Sequence, residues 1–177
     1  YHALELGGEI GIILNLTPSY PRDEANPEDV KAAQIADAFF NRSFLDPAVK
    51  GTFPEELVTI IKELDMIPEH EAEDLVIIQE NTIDLLGINY YQPRRIMAKE
   101  TPIDHTNGPL PDDYFDNYDK PDKKMNPYRG WEIYEKGIYD ILTNTRENYG
   151  NIKCYISENG MGVEGEERFV NDEGIIE

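Results

Sequence analysis

Three apolar runs in this chain of 177 residues each end on polar side chains that could do chemistry. Residues 10–16 (IGIILNL) carry Asn15 at their close. Residues 83–91 (IDLLGINYY) end on Asn89, Tyr90 and Tyr91, and residues 151–157 (NIKCYIS) run into Glu158 and Asn159. In folds built from parallel strands alternating with helices, reactive groups stand at the C-terminal ends of the strands. A carboxylate there is costly unless it is hydrogen-bonded or used, which sets Glu158 apart from the acidic residues spread over helix faces and loops. Two readings of Glu158 stand side by side: a catalytic carboxylate, or a strand-end residue that caps the following helix.

Other constellations carry less. His2, His70 and His105 fall in an N-terminal tail, a helix start and a loop, without the spacing of a metal site. Gly7-Gly8 and Gly160-x-Gly162 form neither a dinucleotide fingerprint nor a phosphate loop. Asp112, Asp113 and Asp116 miss the register of a calcium loop and read as a solvated acidic loop. Cys154, the one cysteine, permits no intramolecular disulfide, which fits a reducing cytoplasm. Within a strand it reads as a small buried hydrophobe. No cofactor and no metal is expected.

Composition narrows the partners. Sixteen Lys plus Arg against thirty-six Asp plus Glu give a net charge of -20, which argues against binding a phosphate backbone. Nucleic acid is therefore not an expected partner. With 40% hydrophobic and 29% charged residues the chain has the make-up of a soluble globular protein and the size of one domain, 1–177. Its apolar runs are far shorter than the roughly 20 residues that cross a bilayer. Neither a membrane span nor a secretory signal is expected, and the expected location is cytoplasmic.

The elements that must position these residues alternate in type. After the first strand and a loop (TPSYPRDEANP), residues 28–44 place Val30, Ala33, Ile35, Ala38 and Phe39 at helical spacing, and Asp46-Pro47 ends that helix. Pro54 begins a second helix with Leu57, Val58, Ile61 and Leu64 on one face, and Pro68 a third with Ala72, Leu75 and Val76. The second strand follows, and residues 94–99 extend or flank it. Residues 100–129 are rich in Pro, Asp, Asn and Gly without a period, so they predict a long functional or mobile loop. A helix over 134–148 leads to the third strand.

Strands about 70 residues apart with helices between them suit the elaborated βα units of a barrel. A complete barrel needs eight strands and about 250 residues, whereas three strands are readable here. Residues 1–6 read as the end of a helix and 172–177 as the opening of another element. The expectation is thus a part of a longer protein.

Four stretches resemble glycoside hydrolase family 1, in that family's own order and over nearly the whole chain. GIILNL followed by TPSYP looks like its fifth barrel strand, DLLGINYY like its sixth, RGWEIYEKGIYDIL like the approach to the next helix, and YISENGMG like the nucleophile segment of the seventh. The resemblance implies an α/β fold, a partial (β/α)8 TIM barrel with strands five to seven and their helices. It implies Glu158 as the nucleophile and Tyr91 as the residue whose hydroxyl hydrogen-bonds it. It also implies Asn89 and Asn15 near the glycone pocket and Trp131 on the aglycone side; core packing is the plainer reading of Tyr91 and Trp131.

A retaining glycosidase needs two carboxyl groups roughly 5 to 5.5 Å apart, one nucleophilic and one acid, and a phenol donating to the first favours its charged form. The Asn-Glu-Pro segment of the family's acid/base, its early-strand His and Asn, and its eighth-strand tryptophans do not occur here. The chain by itself is accordingly expected to be inactive. The run ENGMGVEGEERF resembles the branch that hydrolyses 6-phospho-β-glucosides, whose Ser, Lys and Tyr phosphate motif follows the nucleophile segment and is also missing. A small glycoside is the expected ligand, with a homo-oligomer possible. The alternatives are a β-glucosidase or β-galactosidase acting on unphosphorylated sugars, and a non-catalytic sugar-binding barrel module.

Overall fold

The structure, a computed structural model, describes residues 7–104, 106 and 108–175. His2, His105 and the helix end expected over 1–6 lie outside the described residues.

The centre is a parallel sheet of β1 (Gly11–Asn15), β3 (Leu85–Tyr90) and β8 (Lys153–Asn159), ordered β1-β3-β8. These three strands lie side by side in chain order, the common arrangement of consecutive βα units. β2 (Ser19–Pro21), β4 (Arg94–Met97) and β5 (Asp116–Asn117) form a second small sheet. β6 (Met125–Asn126) and β7 (Trp131–Glu132) form a two-residue antiparallel hairpin. Residues 94–97 therefore flank the second strand by pairing with β2, and the stretch 100–129 holds β5, β6 and the 3-10 turn Pro111–Asp113.

Alternation along the central strands decides which face is covered. Leu86, Ile88 and Tyr90 point into a buried cluster with Leu16, Leu45, Ile141 and Tyr149, which joins the sheet to the helices. The half-buried Cys154 packs on this cluster. On the opposite face Gly87 is flanked by Ile13 and Tyr155, so closely that a Cβ there would lie 2.7 Å from Ile13 Cγ1 and 3.1 Å from the Tyr155 hydroxyl. A second cluster, Ala32, Ala33, Ala36, Ile96 and Phe115, seats the first helix on the small sheet.

Among the described residues five α-helices complete the layer: α1 (Pro27–Asp37), α2 (Ser43–Lys50), α3 (Glu55–Glu63), α4 (Ala72–Glu80) and α5 (Lys136–Asn148). The helix expected over 28–44 runs on through a π turn, Ala38–Arg42, into α2, and Pro47 lies inside it. Pro47 removes one backbone donor, but the helix is held there by buried Leu45 and by Asp46, which accepts from Tyr149 Oη at 2.6 Å. The true stop is Gly51, at φ 70°. Pro68 does not begin α4: the helix starts at Ala72, where the Glu71 amide donates to Asp74 Oδ2 at 3.0 Å. Residues 172–175 form a turn closed on Asn171. Among the described residues no helix is long and apolar enough to cross a membrane.

Candidate active site

The strand ends converge in one row. Asn15 is the register partner of Asn89, and Asn89 of Glu158, so all three stand at the same end of the sheet. Tyr91 follows β3 directly, and its hydroxyl donates to Glu158 Oε2. The carboxylate accepting that proton raises the Tyr91 phenol above its ordinary value, with a smaller contribution from burial, so the hydroxyl stays a donor. The Trp131 ring leans on Tyr91, with centroids 5.2 Å apart and planes at 45°.

Glu158 owes its direction to an irregularity in the sheet. Ile88 pairs with Ile156 and Asn89 with Glu158, so β8 carries one extra residue, Ser157. In a regular register Glu158 would stand opposite Tyr90 and share the face that packs on the helices. The bulge turns it to the face of Gly87 and Asn89, as bulges beside functional sites do. Ser157 Oγ donates to Asn89 Oδ1 at 2.6 Å, and Asn159 Nδ2 donates to the Tyr90 carbonyl at 2.6 Å, holding both sides of the bulge.

Beside the pair lies an open cleft of about 310 Å³, lined among others by Tyr91, Trp131, Tyr134, Asn159 and Met161. It presents flat aromatic walls next to a carboxylate with a phenol donor, an arrangement suited to a sugar ring and its substituent. A separate cleft of about 220 Å³, lined by Ser19, Tyr20, Asp37 and Asn41, contains none of these groups. Among the described residues no group of three or more His, Cys, Asp or Glu could hold a metal ion. Asp116 is instead saturated by Lys99, Thr101 and two backbone amides, so the acidic loop is anchored rather than freely solvated.

The five residues singled out in the sequence thus fall into one neighbourhood: Glu158, Tyr91 and Trp131 in contact, Asn89 joined through Ser157, and Asn15 in the row by register. Sequence reasoning missed Ser157, Arg95 and Glu132. Glu132 accepts a two-point bond from Arg95, at 2.6 and 3.1 Å. Charges of opposite sign in NYYQPRR and GWE were visible, but nothing in their spacing pairs segments 37 residues apart.

Known proteins resemble the chain in sequence and in fold. The model of the family described as glycosyl hydrolase family 1 matches residues 1–177. The chain is 66% identical to the 6-phospho-beta-glucosidase GmuD of Bacillus subtilis (strain 168), over 100% of this chain and 38% of that protein. It is 34% identical to a beta-glucosidase of Agrobacterium sp., over 93% of this chain and 34% of that protein. Among solved structures, the family 1 b-glucosidase from Thermotoga maritima superposes with a TM-score of 0.75 at 29% identity, covering 97% of this chain and 35% of that one. The chain spans 34 to 38% of the length of these curated relatives.

Proposed function

The chain belongs to glycosyl hydrolase family 1, and from that membership we propose that it carries the nucleophile side of a retaining glycosidase site, in a longer enzyme that cleaves 6-phospho-β-glucosides. The family and its structural neighbours are TIM barrels. On this reading β1, β3 and β8 are barrel strands five, six and seven, within one partial barrel domain, 1–177. The observation that carries the reading is the hydrogen bond from Tyr91 to Glu158 at the C-terminal end of the parallel sheet.

Glu158 attacks the anomeric carbon as the glycosidic bond breaks, and a second carboxyl group protonates the departing oxygen. The glycosyl-enzyme ester is then hydrolysed by a water that the second group, now a carboxylate, deprotonates. Tyr91 orients the nucleophile, Asn89 and Asn15 lie toward the glycone, and Trp131 offers a stacking face to the aglycone. No Asn-Glu-Pro run occurs within the 177 residues, so the second carboxyl group comes from elsewhere in the enzyme, and the chain alone has no glycosidase activity. The 6-phosphate is supported by the 66% identity to GmuD, against 34% to the Agrobacterium beta-glucosidase.

The test uses the full-length enzyme. Glu158→Ala should abolish turnover of an aryl 6-phospho-β-glucoside, and azide should restore part of it and give the inverted glycosyl azide. Glu158→Gln with wild-type turnover defeats the assignment. Faster turnover of the unphosphorylated glycoside by the parent would instead favour the β-glucosidase reading and leave Glu158 in its role.

A further inference from the structure

Arg95 projects from β4 against a pair of aromatic rings packed edge to face on each other, its Cζ 4.8 Å from the Tyr20 centroid and 4.4 Å from that of Tyr134. Its Nε and Nη2 donate to the two oxygens of Glu132, and the two side chains are 10% and 8% exposed. A two-point guanidinium bond fixes the plane of its partner as well as its distance, which a lysine cannot do. The two rings flank the guanidinium and narrow the space in which it can swing.

Glu132 is the residue after Trp131. Both belong to β7, two residues long, whose ladder pairs them only with Asn126 and Met125. Such a ladder is too short to hold an orientation by itself. The hairpin is therefore placed by its side-chain ties: Arg95 to the Glu132 carboxylate, Gln92 Oε1 to the Glu132 amide at 3.4 Å, and Asn126 Nδ2 to the Gly162 carbonyl at 2.9 Å. Arg95 and Gln92 follow Tyr91 in the chain, so the segment that carries the nucleophile's donor also holds the strand that carries Trp131. As a device for stability alone a buried ion pair is a poor choice, because apolar residues of similar volume serve as well or better. What the pair does supply is a fixed geometry.

We propose that Arg95 is a positioning residue of this site: through Glu132 it sets Trp131 against Tyr91, and so fixes the aglycone wall beside Glu158. The inference rests on the reading of Glu158 and Trp131 given above. Its consequence is selective. Substrates whose departing group rests on Trp131 need Arg95, and substrates whose departing group is too small to reach the ring do not.

The experiment compares 4-nitrophenyl 6-phospho-β-glucoside with 6-phospho-β-glucosyl fluoride in the full-length enzyme, scoring the ratio of their kcat/KM values. If the parent prefers unphosphorylated sugars, the same two departing groups on glucose give the same readout. Arg95→Lys should lower the aryl-to-fluoride ratio by about tenfold, chiefly through KM for the aryl substrate, as expected for a wall displaced by a fraction of an ångström. Trp131→Ala should lower it by at least as much. Should Arg95→Lys fail to fold, Arg95→Met combined with Glu132→Leu removes both charges together and must give the same change. A drop in both Trp131→Ala and an Arg95 variant supports the proposal. A drop in Trp131→Ala with the ratio kept in the Arg95 variants overturns it and leaves the aglycone role of Trp131 standing. Equal losses on both substrates in the Arg95 variants also overturn it, by reducing Arg95 to a structural part. An unchanged ratio in every variant overturns the aglycone role of Trp131 and the proposal with it.

Discussion

Glu158 faces Asn89 across two parallel strands because β8 spends one residue, Ser157, on a bulge that β3 does not match. Up to Ile156 the strands are in regular register, and their alternate residues feed the buried cluster below the helices. Beyond the bulge the phase is inverted, and the carboxylate stands on the face of the row formed by Asn15 and Asn89. The site's geometry thus depends on the count of residues in a strand as much as on their types.

Deleting Ser157 from the full-length enzyme should restore a regular register and turn Glu158 toward the helices. A fall in kcat/KM of at least about 1000-fold is expected, since positioning of a reacting group is worth orders of magnitude. Ser157→Ala keeps the count and loses only the 2.6 Å bond to Asn89, so its loss should stay within about tenfold. The check is steady-state kinetics on variants with native circular dichroism. A folded deletion variant with near-parental turnover would show that the bulge does not aim the carboxylate.

Tyr91→Phe removes the donor to Glu158 and keeps the ring that Trp131 leans on. The rate should fall about 10- to 1000-fold, as for other lost active-site donors, and the fall should lie in kcat more than in KM. Pre-steady-state release of nitrophenol separates the chemical step from binding. Rate constants equal to the parent's would reduce Tyr91 to packing.

Much of this was legible in the sequence. The strand runs, their order and their polar ends could be read because apolar β-branched residues and terminal Asn, Tyr and Glu are local signals. What escaped was set by tertiary partners. The bulge at Ser157 leaves no mark in NIKCYISEN, because it exists only relative to β3. The continuation of the helix through Pro47 depends on Tyr149 reaching Asp46 from 103 residues away, and the Arg95–Glu132 pair joins the flank of the second strand to the far side of the long loop, across 37 residues that no local period relates. The acidic residue at Asp74, which accepts from the Glu71 amide, was by contrast a local signal, and the greater weight given to Pro68 misplaced the start of α4.

Acid should weaken the small sheet first. The amide of Ala98 donating to Asp29, then Arg22 beside it, holds the Asp29 carboxyl below its ordinary value. For Asp116 burial works against the charge, but Thr101, the amides of Glu100 and Thr101, and Lys99 outweigh it and hold this carboxyl low as well. Both folded-state values lie below the unfolded ones. The stability they contribute is therefore complete above about pH 4 and is lost as the pH falls through the folded-state values. Thermal midpoints of the full-length enzyme between pH 5 and 2.5 should fall less steeply in Asp29→Asn and Asp116→Asn than in the parent. Parallel slopes would show that neither carboxylate is linked to folding.

The Glu158 carboxylate is expected to form a covalent bond to the sugar. A 2-deoxy-2-fluoro 6-phosphoglucoside with a good departing group slows hydrolysis of the glycosyl-enzyme, so that the ester accumulates on the full-length enzyme. Peptic digestion and mass spectrometry should then find the fluorosugar phosphate on the peptide spanning YISENGMG, with fragmentation assigning it to Glu158, and Glu158→Gln should take up no label. A label on any other carboxylate, or rapid inactivation with an unmodified YISENGMG peptide, would contradict the account.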